Sequence, residues 1–261
     1  VKSAFQYISS LVNLTFQETT DTAKANIMFG QNNQTGSAGY ANPPNQSGNH
    51  TQYLFLASNA STNSTFDPGT YGWETVIHEI GHTLGLKHPF AGNAGGGAVP
   101  PGPYLPTSTN SHRFSVMSYT DPTDSKILTA NLVGSSVSLS QANVNPSTFM
   151  TYDIEALQYL YGANTAPAGD FADKLASIQN LVLNDSYKGM ETIWAPTGQT
   201  LDASATSFSD IIDMRGGGYS TIAYQSGTDQ VTKQLKAQGS SLDTIASVLK
   251  KFKTNLTTAY T

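Results

Sequence analysis

Residues 76–88 read Val-Ile-His-Glu-Ile-Gly-His-Thr-Leu-Gly-Leu-Lys-His, with histidines at 78, 82 and 88 and a glutamate at 79. In an α-helix His78 and His82 stand one turn apart on the same face, so their rings project together. Ile77, Ile80 and Leu84 fall on roughly the opposite face, which can be buried while the imidazoles are presented. Gly85 lies where a helix carrying two ligands must stop if a third is to swing back, and glycine is the commonest residue at such a stop. His88 then completes a set of three, and Pro89 keeps the helix from resuming. Three neutral nitrogen ligands with a fourth position open suit one Zn2+ ion, whose bound water has a pKa of about 7. Glu79, beside a ligand without being one, is placed to take a proton from that water.

The pattern HExxHxxGxxH resembles that of the metzincin metalloproteases. Met117, within Ser115-Val116-Met117-Ser118-Tyr119, is similar to the methionine of that clan's Met-turn, a loop running beneath the metal. Pro89 after the third histidine and the Ser118-Tyr119 pair resemble the serralysin family of bacterial secreted proteases. So do the stretches Tyr152 to Gly162 and Lys24 to Gly30, similar to a following helix and an early strand of that family. The resemblance implies an α+β metzincin fold: a mixed twisted sheet, a zinc-binding active-site helix and a second helix, then a smaller C-terminal part with short strands and a terminal helix. It implies a catalytic domain over residues 1–164 and a β-rich segment over 165–261. It also implies a zinc endopeptidase acting on protein or peptide substrates, open to control by a proteinaceous inhibitor, in which Tyr119 stabilises the oxyanion.

Composition points the same way. Charged residues are only 12% of the 261 and the net charge is −5, with no Lys/Arg stripe before the extreme C-terminus. Such a surface suits an extracellular protein and argues against a nucleic-acid partner. The absence of cysteine excludes a disulfide framework and any thiolate zinc site. No apolar run approaches the roughly twenty residues needed to span a bilayer.

Along the chain, Phe5, Ile8, Leu11 and Val12 give Val1 to Leu14 helical spacing. Its abrupt start is read as that of a processed or trimmed chain. Leu14 to Glu18 and Ala25 to Gly30 read as short strands, and Gln31 to His50 as loop. Thr51 to Ser58 is the clearest strand. In a metzincin layout it lies beside the cleft, Tyr53, Leu54, Phe55 and Leu56 offering a free edge to an extended peptide; an ordinary sheet strand is the alternative. Either Asp67 with Pro68, or Thr70, caps the zinc helix. Trp73 and Glu74 lie just before the ligands, where they could border the cleft; packing on the sheet is the favoured use of Trp73. Phe90 to Arg113, rich in glycine and proline with a Gly95-Gly96-Gly97 run, is expected to shape the primed side of the cleft. His112 is disfavoured as a fourth ligand, since a catalytic ion keeps an open position.

Asn145-Pro146 opens a helical stretch closed by Gly162, and Asp153 within it reads as a buried structural acceptor. Asn164 to Asp170 is the best linker. Beyond it, Glu191 to Trp194, Thr200 to Asp202 and Ile211 to Met214 read as strands, and Ser241 to Leu256 as an amphipathic helix. The calcium-binding nonapeptide of the family's C-terminal domain is not encoded: Gly216-Gly217-Gly218 runs into Tyr219. Ca2+ therefore has no repeat motif behind it. The rival to an enzyme is a surface-layer or adhesion-type binding module that keeps zinc as a structural bolt, and Glu79 favours the enzyme.

Overall fold

Helix α1 (Lys2–Leu11) forms where Ala4, Tyr7, Ile8 and Leu11 recur at helical spacing, and all four are fully buried. The structure, a computed structural model, describes residues 1–44, 51–92, 101–123, 125–134, 136–179, 181–186, 189–253 and 256. The triple glycine at 95–97 lies outside them. Two compact units are present: Val1–Thr120 with Asn145–Asn180 and Met190–Gln199, and Asp121–Val144 with Leu181–Gly189 and Thr200–Thr261.

The first unit is a mixed α/β assembly. Strands β1 (Ile27–Asn32), β2 (Gly39–Ala41) and β3 (Gln52–Ala57) form one sheet in the order β1-β3-β2, with β1 parallel and β2 antiparallel to β3. Gln52, Leu54 and Leu56 on β3 are buried while Tyr53 is exposed, the alternation of a strand covered on one face. Helix α2 (Tyr71–Thr83) lies against β2 and β3. Its Val76, Ile77 and Ile80 join Tyr7, Ile8, Leu54, Leu56, Met117, Phe149 and Leu157 in one buried cluster. At about 1.5–3 kcal/mol for each large side chain removed from water, this cluster is the main force holding the unit together. Helices α3 (Thr151–Tyr161) and α4 (Asp170–Ile178) complete it, α4 packing on α1.

In the second unit β4 (Lys126–Val133) and β5 (Ser136–Asn143) form an antiparallel hairpin. Two further pairs are β6 (Val182–Asn184) with β7 (Asp202–Ala205) and β8 (Ser209–Ile211) with β9 (Thr221–Tyr224). Helices α5 (Gly227–Ala237) and α6 (Leu242–Lys251) follow. The edge of β4 facing away from β5 is closed by glutamine side chains rather than by a strand. Gln230, Gln234 and Gln238 accept from the amides of Leu128, Ala130 and Leu132, and donate to the carbonyls of Lys126, Leu128 and Ala130. The ladder works because four helical residues rise about 6 Å, close to the roughly 6.8 Å of two antiparallel strand residues. Val231 and Leu235 pack meanwhile on Leu128 and Ala130.

Several sequence expectations are corrected here. Leu14 to Glu18 is no strand: Leu14 and Phe16 pack individually on the first core, Phe16 against Phe5. α3 starts at Thr151, not near Pro146, because Pro146 and Ser147 run extended and pair with Met190. Glu191 to Trp194 is not a strand either, its amides at 192 and 194 being taken by the Thr148 and Gln179 side chains. The linear division at 164/165 differs from the observed units, since the 121–144 hairpin is bound to α5 by the glutamine ladder while 190–199 is bound to the first unit. The segment after 164 is also more helical than expected, α4 and α5 having passed unread. β3, finally, has no free edge, because β1 and β2 occupy both sides of it.

Replacing Gln234 by Ala leaves the Ala130 amide and the Leu128 carbonyl without their partners, at about 1–3 kcal/mol per buried group. We expect Gln234→Ala to lower the thermal midpoint measurably and to raise self-association through the opened edge, seen by light scattering, while Lys236→Ala does neither.

Candidate active site

Helix α2 begins at Thr70, whose hydroxyl accepts from the Trp73 amide, which decides between the two cap candidates. It ends by reversal: the Gly85 amide donates to the His82 carbonyl and the Leu86 amide to the Gly81 carbonyl, with Gly85 at φ 97°. This six-to-one closure needs a left-handed residue, so glycine at 85 is required by the turn. The chain then runs back to set His88 Nε2 at 3.2 Å from His78 Nε2 and 3.1 Å from His82 Nε2. Two ligands 2.0–2.1 Å from a tetrahedral ion sit about 3.3 Å apart, so the spacing fits a single zinc.

The orientation of two of the rings is fixed from behind. His78 Nδ1 donates to the Val116 carbonyl at 2.8 Å and His82 Nδ1 to the Leu86 carbonyl at 2.9 Å, leaving each Nε2 with its lone pair free for metal. Burial and the neighbouring imidazoles hold His78 well below the usual histidine range, and burial pushes His88 down to about 4. The rings are therefore neutral ligands at neutral pH. Glu79 is buried, and its Oε2 accepts no hydrogen bond. Burial alone pushes its carboxyl up to about 8. A buried carboxylate without a counter-charge is costly, and a divalent cation beside it relieves that cost, so the donor set as a whole fits a metal.

Beneath the histidines runs the segment 115–119. Met117 is buried, and its sulfur would lie 2.9 Å from a Cβ placed on Gly81, so the glycine inside the motif is what lets the thioether fit under the helix. Asp153, on the first turn of α3, holds this segment in place. Its carboxylate accepts from the Ser115 hydroxyl at 2.6 Å, the Val116 amide at 2.7 Å and the Met150 amide at 2.9 Å. Asp153 is thus the structural acceptor its position implied, gripping the amide of the same residue whose carbonyl orients His78. Tyr119 is 60% exposed, and its ring lies against His78, His88 and Phe90. Burial of the hydroxyl, with the Glu79 carboxylate, pushes it up to about 12, so the phenol stays a donor.

Tyr53, Leu54, Phe55 and Leu56 sit in the middle of the sheet, while β2 lies at its margin. A Cβ on Gly39 would stand 2.9 Å from Glu79 Cγ and 3.2 Å from its Oε1, so β2 passes directly over the glutamate. Nothing in the Gln31 to His50 stretch announced this three-residue strand. His112 is buried and faces the Ser118 carbonyl and Glu74, not the three histidines. Among the described residues those three form the cluster with metal-ligand spacing.

Comparison with known proteins agrees with this geometry. Residues 2–89 match the family model described as Metallo-peptidase family M12B Reprolysin-like. The chain is 36% identical over 168 residues to Serralysin of Proteus mirabilis, covering 61% of this chain and 31% of that one. It is 30% identical over 236 residues to Serralysin B of Dickeya chrysanthemi, covering 85% and 46%. With Metallopeptidase AprA of Pseudomonas marginalis it shares 28% over 243 residues, covering 88% and 48%. Together these matches support a serralysin-like metzincin catalytic domain. It spans less than half the length of these relatives. Among the described residues no helix is long and apolar enough to cross a membrane.

Two outcomes follow from the layer beneath the three histidines. Gly81→Ala should gain up to about 1 kcal/mol of helix propensity yet lower the thermal midpoint, because the Met117 sulfur and a Leu86 methyl must give way beneath the helix. Asp153 is pushed by burial up to about 6, the hydrogen bonds pulling the other way but losing. With the folded value above the unfolded one near 3.9, the native state binds the extra proton. Stability from this group is full below pH about 4 and is lost as pH rises to about 6, roughly 3 kcal/mol in all. Urea titrations at a series of pH values should show that decline in the parent and its absence in Asp153→Asn.

Proposed function

We propose that the chain is a secreted bacterial zinc-dependent endopeptidase that hydrolyses internal peptide bonds of proteins. The observation that carries the reading is the convergence of three imidazole nitrogens, His88 Nε2 lying 3.2 Å from that of His78 and 3.1 Å from that of His82, beside a buried glutamate oxygen that accepts no hydrogen bond. A metal held only for structure has no use for that glutamate.

His78, His82 and His88 would hold the ion. When bound, zinc supplies Lewis acidity, lowering the pKa of water to about 7 and polarising the scissile carbonyl. Glu79 takes the proton of the attacking water and returns it to the leaving amine. Its apolar surroundings favour the first half of that exchange, because a buried carboxylate accepts a proton more readily than an exposed one, and the leaving amine, a stronger base, then draws the proton off. Tyr119 donates its phenol to the oxygen on which negative charge develops. The substrate backbone pairs with the outer edge of β2, the sheet edge that runs over Glu79, rather than with β3.

Purified protein should digest casein, lose that activity to 1,10-phenanthroline and regain it on addition of Zn2+. Glu79→Gln should keep its zinc, measured by plasma mass spectrometry, while kcat falls by about 10²–10⁴-fold. Undiminished cleavage by that variant would remove Glu79 as the general base. A protein that binds zinc and never cleaves would point instead to a binding module.

A further inference from the structure

Two buried titratable side chains, Glu74 and His112, have no part in the chemistry above. Glu74 is on the first turn of α2 and His112 lies in the segment leading to Met117. His112 Nε2 is 2.6 Å from the Ser118 carbonyl and 3.3 Å from Glu74 Oε1. The backbone amide of His112 donates to the Thr120 carbonyl at 2.9 Å. One residue therefore grips the chain immediately before Tyr119 with its ring and immediately after it with its backbone. The grip is extended by the Ser118 hydroxyl, which donates to Asn110 at 2.8 Å and accepts from the Thr120 amide at 3.1 Å.

We propose that Glu74 and His112 are positioning residues for Tyr119: the carboxylate keeps the proton on the ring nitrogen that the Ser118 carbonyl requires, and so fixes the backbone from which the phenol projects. Tyr119 needs such support. Its neighbour Ser118 is fully buried while Tyr119 itself is largely exposed, so its ring is steered by its backbone and by three aromatic rings rather than by an enclosing wall. A carboxylate beside the imidazole favours the tautomer protonated at Nε2, and the hydrogen bond from there is strengthened by the partial charge it acquires. The proposal rests on the reading of Tyr119 as the oxyanion donor, because only then does its placement matter for rate.

The experiment is a double-mutant cycle on cleavage of a fluorogenic peptide, with metal content measured for every variant. His112→Leu should lower kcat by about tenfold with KM within about twofold, since misplacing a donor affects the transition state more than binding. In a Tyr119→Phe background the same substitution should change kcat by less than about twofold. His112→Gln, whose amide can still donate to the Ser118 carbonyl, should recover most of the loss. In metal-stripped protein, amide hydrogen exchange at residues 118–120 should rise in His112→Leu while exchange along α2 stays as in the parent. Equal losses in the parent and Tyr119→Phe backgrounds, or a uniform rise in exchange, would overturn the proposal and leave His112 as ordinary packing. If Tyr119→Phe alone leaves kcat unchanged while Glu79→Gln still abolishes it, the oxyanion role falls and this proposal with it, but the protease reading stands. Should His112→Leu fail to fold, Glu74→Gln replaces it in the cycle, and additivity with Tyr119→Phe is again the overturning result.

Discussion

The site depends on the reversal of the chain at the end of α2. A straight continuation would carry His88 away from His78 and His82, whereas the six-to-one closure across Gly85 sends it back within two residues. The same turn orients a ligand, since Leu86 gives its amide to the helix end and its carbonyl to His82 Nδ1. Chain reversal and ring orientation are thus one hydrogen-bonded unit. A residue with a Cβ at 85 would strain both at once.

The second dependence runs through the floor. His78 takes its orientation from the Val116 carbonyl, and Val116 takes its position from Asp153 on another helix. Burying a carboxylate opposes stability, yet three donors converge on Asp153, and they tie α3 to the loop under the metal ligands. Gly81 serves the same end by the opposite means: it contributes no side chain, and Met117 fills the space. The histidines therefore rest on a layer built from two helices and a loop far apart in sequence. Three imidazoles so supported are held in fixed orientation, which is what a metal site would require.

The sheet margin over Glu79 illustrates how strand order can overrule strand strength. Residues 51–58 carry the clearest strand pattern in the chain because β3 is central and covered, and for that same reason it cannot receive a peptide. β2, three residues with an exposed Tyr40 at the centre, has almost no pattern of its own and lies at the margin over Glu79. Edge strands are short and polar as a rule, so the signal that finds a strand is weakest where a substrate would bind. In the second unit an edge is closed by three glutamines four residues apart, a spacing legible once the helix is known but silent without it.

What the chain of letters determined unaided was local. The helix face of His78 and His82, the stop at Gly85, the return of His88, the adjacency of Glu79 and the amphipathic helices at 2–11 and 242–251 all follow from spacing of three to five residues, over which backbone geometry is nearly fixed. Asp153 was legible as a buried acceptor, though not its partners. Only the tertiary structure decided which strand is the edge, that α3 begins at 151, that His112 faces Glu74 instead of the metal ligands, and that residues 121–144 associate with the chain beyond 200. Each of these depends on contacts between residues tens of positions apart, whose energies come from burial and from pairing of backbone groups. Sequence periodicity carries the tendency to bury a face but not the identity of the surface that covers it.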